Sequence, residues 1–482
     1  LLITPSFIEM NKFEAAFANT QINGALHFQM ADKPNVKGHI YLPSLDVSAF
    51  LGHSEKEVGD ASLVNPPTNF IQVYKKLLSN DFDLGILETF NADVDLKLGQ
   101  LNGLPAELKN GELKLKLNDG KLTAPMDVSM AGVNLQGQLD AYSKKQSSQV
   151  QLHLWAQNQN IADLGEVLTG VPGIKGKLGI FDINLHAHGH KLGDAFEHLS
   201  FKTKLENSHL SYGNIDGGNP VDFSVEQFNF VIQPRQPLRA NFVGSLLSQP
   251  VKVNLSGDAL SDIVKTEQGH YQLKAYSRSA SVNLQMTSSM IFSEPKLDAK
   301  FEINALNSSD LANWFGLQSA YARAFALDGN FQADAQQWRL DNLSMKLGHS
   351  DLSLTAQRKN LDKKPFLVVD LHSNNIDYSE IKSILPAPDN NQAATKQAQK
   401  NLSLDIPVLP HGIDLSDADI NIRLAKVSGV ALPVKHVAFN VSVKNGFIGI
   451  SPFSVDVSEI QNHGAIYLDL RSADPTIKLW FA

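Results

Sequence analysis

The stretch Phe90-Asn91-Ala92-Asp93-Val94-Asp95-Leu96-Lys97-Leu98 alternates apolar and polar side chains at every step. A strand sends successive side chains to opposite faces, so this pattern buries one face and wets the other. The same period runs through Leu113, Leu115, Leu117 and through Val150, Leu152, Leu154. It recurs in Leu238, Ala240, Phe242; in Val251, Val253, Leu255; and in Leu297, Ala299, Phe301, Ile303. Near the end it reappears in Ile420, Ile422, Leu424 and in Val437, Phe439, Val441, Val443. Strands with one wet face favour antiparallel pairing. Asn118-Asp119-Gly120 and Lys444-Asn445-Gly446 sit between such runs, where a tight hairpin turn needs positive φ. The reading is all-β with a few short helices.

Composition narrows the function. The chain has 482 residues, 43% of them hydrophobic and 19% charged, so it has ample apolar material for a packed structure. Lys and Arg total 42 against 50 Asp and Glu, with no long basic run, which argues against nucleic acid as a partner. The absence of cysteine excludes a disulfide scaffold, Cys-ligated zinc and thiol chemistry. No run of 18 apolar residues is present; the longest candidate, Trp314 to Leu327, is broken by Gln318 and Arg323. The chain starts at Leu, so a membrane anchor is expected outside this piece.

Short helical patches interrupt the strands at 45–50, 161–168, 308–315 and 376–381, each with Ser or Asp placed to cap the first turn. A longer amphipathic helix is expected at 69–78, with Ile71, Tyr74 and Leu78 on one side, packed on the sheet exterior, touching a membrane surface or folded over a groove as a lid. These patches belong to a larger repeat. Ala92-Asp93-Val94-Asp95-Leu96-Lys97-Leu98 matches Ala418-Asp419-Ile420-Asn421-Ile422-Arg423-Leu424. Gly103 then aligns with Gly429, Gly120 with Gly446 and Gly137 with Gly464. The organisation expected is a repeat unit at 1–52 and a linker at 53–82 holding the 69–78 helix. Continuous β repeats follow over 83–385, then a polar, Pro-flanked and partly disordered linker at 386–410. A final unit at 411–482 is similar to 85–156 and breaks off at the C-terminus. About 30 strands at hairpin spacing, stacked at ~4.8 Å, give an elongated sheet on the order of 140 Å long. Such a sheet twists and curls, and curling toward its apolar face makes a U-shaped groove.

The strand-then-capped-helix stretch KLDAKFEINALNSSDLANWFG (296–316) and the block DADINIRLAKVSGVALPVKHVAFNVSVKNGFIGISPFSVDV (417–457) carry a family likeness. In them the chain resembles the AsmA-like family of bacterial envelope proteins, with its TamB- and YhdP-type bridge-like lipid-transfer relatives. The resemblance implies a periplasmic protein of a Gram-negative cell. It implies an N-terminal helix in the inner membrane, missing from this chain, and a long β groove carrying phospholipid toward the outer membrane. Outer-membrane or periplasmic proteins are further partners it implies.

The physical logic stands beside that likeness. An acyl chain of about 16 carbons faces on the order of 12 kcal/mol when it enters water alone, at ~0.8 kcal/mol per CH₂. A groove lined by every second residue of successive strands replaces that exposure with apolar contact. The lining expected is Val94, Leu96, Leu98, Leu113, Leu115, Leu117, Val150, Leu152, Leu154, Leu238, Phe242, Val251, Val253, Phe301, Ile303, Ile420, Ile422, Leu424, Val437, Phe439, Val441 and Val443. Of the aromatics, 25 are Phe, 9 Tyr and 4 Trp, which suits an oily lining better than a sugar platform. Any β-sandwich also buries alternating Leu, Val and Phe, so the alternative is a closed-core envelope scaffold, or an outer-membrane-protein assembly factor that does not carry lipid.

No catalytic constellation is visible. G-x-S-x-G, H-E-x-x-H, the P-loop and a strand-borne G-x-G-x-x-G are all missing. His186-Ala187-His188-Gly189-His190 puts three imidazoles on one strand face. The outer pair would stand ~13 Å apart, too far for one ion, and no other ligand is evident from the sequence. Asp93/Asp95 and Asp417/Asp419 lie on wet faces without a pocket to split their pKa values. The chain is expected to be no enzyme and to hold neither metal nor cofactor.

Overall fold

Asp119 and Gly120 have φ of 47° and 80°, and Asn445 and Gly446 have 49° and 80°. Two successive positive values define the hairpin turn that the sequence calls for at both places. The structure, a computed structural model, describes residues 2–4, 6–17, 20–46, 81–102, 108–130, 132–144, 147–161, 174–212, 221–246, 249–290, 294–309, 323–361, 364–382, 417–471 and 476–482. Contacts divide the chain into two units. Unit one is Leu1–Arg278 with Ser289–Ser293, and unit two is Ser279–Ser288 with Glu294–Ala482.

Unit one is a ladder of strands paired in chain order. It opens with β1 (Leu2–Ile3), β2 (Phe7–Phe17), β3 (Thr20–Gln29), β4 (Asn35–Asp46) and β5 (Asn91–Asn102). It continues through β6 (Leu108–Asn118), β7 (Lys121–Met130), β8 (Val133–Lys144), β9 (Ser147–Ile161) and β10 (Ile174–Gly189). It ends with β11 (Ser200–Tyr212), β12 (Val221–Gln233), β13 (Gln236–Leu246), β14 (Gln249–Ala259) and β15 (Gln268–Ser277). Every pairing is antiparallel except β4 with β5. Outer-face charges help fix the register: Asp93 faces Lys116, Asp95 faces Lys114, and Lys97 faces Glu112 with its Nζ at 2.9 Å.

Unit two begins with β16 (Ala280–Ser289) and β17 (Lys296–Ala305), whose Ala280 and Ala305 pack with Ile303 and Phe325. There follow β18 (Phe325–Ala333), β19 (Trp338–Leu347), β20 (Ser350–Leu361), β21 (Lys364–Ser373) and the short β22 (Ile376–Asp377). The last strands are β23 (Asp417–Ser428), β24 (Val434–Lys444), β25 (Phe447–Val457), β26 (Ile460–Asp469) and β27 (Thr476–Phe481). Here too one long strand pair is parallel, β21 with β23, and β22 joins β23 in the same sense. Among the described residues no pairing closes either ladder on itself, so the protein is an open, antiparallel-rich all-β structure. Register shifts inside several pairings bend and twist the strands.

Three helices lie among the described residues: α1 (Leu192–Glu197), α2 (Leu260–Thr266) and α3 (Tyr378–Lys382). Of the three, only α3 falls on an expected patch, two residues later than its start, because Ile376 and Asp377 pair with β23 first. The patch at 45–50 is corrected in part: Leu45 and Asp46 complete β4, since both pair with β5. Ile161 likewise ends β9 by pairing with Gly176. Ser308 and Ser309 do open a helical turn. The rest of these patches, the 69–78 helix and the 386–410 linker lie outside the described residues. No helix among the described residues is long and apolar enough to cross a membrane.

Candidate functional site

Strand register turns alternation into continuous apolar rows. In unit one, Phe13, Gly24, Ile40, Leu96, Leu113, Met126 and Gly137 are successive cross-strand partners. The row continues through Leu154, Ile183, Thr203, Phe230, Ala240, Leu255 and Leu273. It runs from β2 to β15 with one polar member, Thr203, and at ~4.8 Å per strand it covers roughly 60 Å. Unit two has its own row of Ala299, Phe331, Leu340, Ala356, Val369, Ile420, Val441, Ile450, Ile466 and Leu479. A parallel row there joins Leu343, Leu354, Leu371, Ile422, Phe439, Phe453, Gly464 and Phe481.

Each lining residue expected from the sequence sits in one of these rows or two or four positions along a strand from a member. Val94 faces Leu115, Leu152 faces Leu139 and Leu185, and Phe242 faces Phe228 and Val253. Leu424 faces Val437, and Ala418 faces Val443. All of them are buried or half-buried, while Asp93, Asp95, Lys97, Glu112, Lys114 and Lys116 between them are exposed. Sequence reasoning missed Phe223, Phe228 and Phe230 on β12, because a register shift between Val225 and Gln227 interrupts the period of two.

The rows are covered only in part. The buried apolar residues are mostly Ala and Val, and none of the described Phe, Tyr, Trp or Met side chains is buried. In a closed core Phe and Met would be among the residues most often sealed. A packed cluster does form in unit one from Val133, Leu135, Ala156, Ile161 and Leu178. Elsewhere the apolar face keeps half-exposed side chains. Glycines make room within it: a Cβ on Gly137 would stand 2.5 Å from Leu154 Cδ2, and one on Gly464 2.6 Å from Phe453.

The histidine stretch gains a member that the sequence did not offer. His186 and His188 share a face of β10, with ring centroids 5.6 Å apart, and His198, just past α1, packs at a tilt against His188 at 4.5 Å. His188 Nδ1 is buried without a hydrogen-bond partner. Burial, then the neighbouring His198 and His186, hold His188 below the ordinary histidine range. His198 Nδ1 lies 2.8 Å from the Asp194 carbonyl oxygen. The rings pack at a tilt instead of converging on a common point, and His188 is held toward its neutral form.

His349, Asp377 and Glu380 do converge, each with a ligand-type atom within 4.8 Å of the others. Their geometry is that of a clamp. The buried Glu380 carboxylate accepts from the His349 and Ser350 backbone N–H groups at 3.1 Å and from Ser350 Oγ at 2.7 Å. Its acceptor capacity is taken up in tying α3 to the β19–β20 turn. Burial pushes Glu380 up, but the bonds from Ser350 and His349 outweigh it and hold the carboxyl below its usual range. Of the acidic pairs, Asp93, Asp95 and Asp419 are exposed, while Asp417 is half-buried and accepts the Asn445 N–H at 2.7 Å as a turn cap.

An open all-β protein with a long, incompletely covered apolar face in each unit is the class these features define. Residues 4–209 match the model of the AsmA family, and over that stretch the chain is AsmA-like. That family points to the bacterial envelope. No curated protein and no solved structure matches the chain.

Proposed function

We propose that the protein is a phospholipid-transfer conduit of the periplasm, with lipid acyl chains lying along the apolar rows and headgroups in solvent. The observation that carries this reading is the half-covered row from β2 to β15, whose large side chains have no second layer among the described residues to seal them. Hydrophobic contact is non-directional, so a chain of CH₂ groups can slide along such a row without deep minima. The function proposed is transfer without chemistry. In this reading an N-terminal segment beyond the chain anchors it in the inner membrane, and the path leads to the outer membrane.

The test is a charge set into the row. Leu152→Asp and Phe242→Asp each place a carboxylate among half-buried apolar partners that a lipid would cover. Both variants are expected to keep the β circular-dichroism spectrum and to lose lipid transfer between donor and acceptor vesicles. Transfer at the wild-type rate through both substitutions would overturn the reading. Unfolding of both would favour a closed-core scaffold.

A further inference from the structure

The two rims of unit two differ in chemistry. At one rim β17, β19, β21, β23 and β25 end; at the other β18, β20, β24 and β26 end. Apart from β27, every large apolar residue exposed among the described residues of unit two lies at the first rim: Leu306 (80% exposed), Tyr378 (47%), Val430 (39%), Leu432 (58%) and Ile460 (67%). The second rim presents Lys296, Gln336, Gln337, Lys444, Asn445 and Arg471. Scattered apolar residues on a surface need no explanation, but segregation to one rim does.

Four of these residues form one ledge. The Ser458 N–H donates to the Pro433 carbonyl at 2.8 Å, which ties the tip bearing Ile460 to the tip bearing Val430 and Leu432. Gly429 lies against the backbone of Tyr378 and Ser379, so close that an added Cβ would stand 3.3 and 3.1 Å from their nitrogens. Ser428 Oγ donates to Asn375 Oδ1 at 3.1 Å and fastens the same corner.

Beside the ledge, Lys426 and Lys435 stand directly opposite each other on β23 and β24. Both are exposed, and neither has an ion-pair partner among the described residues. Like charges in register repel, so the pair carries a cost that an anionic group between or above them would remove. Asp456, the residue facing Lys435 from β25, is engaged by His436 Nδ1 at 2.8 Å. Glu459 is the single acid of the tips at 429–433 and 458–460.

We infer that this rim docks on a bilayer containing anionic phospholipid. Val430, Leu432, Ile460 and Tyr378 enter the interface, and Lys426 and Lys435 take a lipid phosphate. Apolar side chains at hairpin tips beside unpaired lysines match the two layers of a membrane surface, acyl carbon below and phosphate above.

Vesicle flotation of the whole chain tests the assignment, with phosphatidylcholine vesicles alone or mixed with phosphatidylglycerol. The wild type is expected to float with the mixed vesicles. Lys426→Gln and Lys435→Gln should each lower that partition about fivefold, from ~1 kcal/mol per lysine at an anionic surface. The triple variant Val430→Ser, Leu432→Ser, Ile460→Ser should lower it on the order of tenfold or more while keeping its thermal melt, since all three side chains are exposed. Wild type that stays off both kinds of vesicle, or a triple variant that floats as well as wild type, would overturn the inference. Flotation requires no lipid in the apolar rows, so this assignment and the conduit reading fail separately.

Discussion

His188 shows how a single residue senses its packing. It lies between His186 and His198, its Nδ1 is buried without a partner, and burial and the two neighbouring rings all disfavour its charged form. An unfolded histidine titrates near ~6.5, so the unfolded chain binds the proton that the folded one refuses. The stability His188 supplies is therefore complete above that pH and is lost as the pH falls toward its depressed folded value. Urea unfolding followed across pH ~7.5 to ~5 should show unit one weakening, and His188→Gln should flatten that slope. An unchanged slope in the variant would refute the assignment. The imidazoles of 186–190 were plain in the sequence, but His198 was not connected to them, because α1 folds it back across a distance that periodicity does not register. The glycines were legible in a similar, partial way. Gly137 and Gly464 aligned as members of a repeat, while their role of leaving space for Leu154 and Phe453 emerges only with the register.

At the scale of elements, the two parallel joins explain the repeat. Ala92–Leu98 and Ala418–Leu424 match because each opens a strand laid parallel to an earlier one, β5 on β4 and β23 on β21. Parallel neighbours need a long connection, and the sequence displayed that connection only as a linker without regular alternation. Strands were readable where the period of two was unbroken, and β12, where a register shift resets it, was passed over. The second join is braced by Glu380, which binds the β19–β20 turn from α3, and by Asp351, which accepts from Asn374 and Asn375. Glu380→Ala leaves two N–H groups and the Ser350 hydroxyl without their acceptor, for an expected cost of about 1–3 kcal/mol. Hydrogen exchange at 348–350 should rise in that variant, and wild-type protection there would contradict the clamp. Burial raises both carboxyls, yet their hydrogen bonds hold them below the usual range. The clamp is thus complete above the unfolded carboxylate pKa and is lost as the pH falls through the lowered folded values.

Over the molecule as a whole, the claim is that the apolar rows are surfaces for lipid and not the inside of a core. Alternation in the sequence declared which residues share a face, and it placed Leu96, Leu113, Leu154 and Ile420 on it before any pairing was known. It could not declare whether a second layer covers that face, because a sandwich and a groove use the same pattern of Leu, Val and Phe. The difference lies in exposure: the described aromatics are all incompletely buried, and the buried apolar positions are mostly Ala and Val. Native mass spectrometry of the purified chain, followed by lipid extraction, addresses this directly. The account predicts several phospholipids per molecule, released by detergent. A fully folded protein that carries none, and takes none up from vesicles, would contradict it.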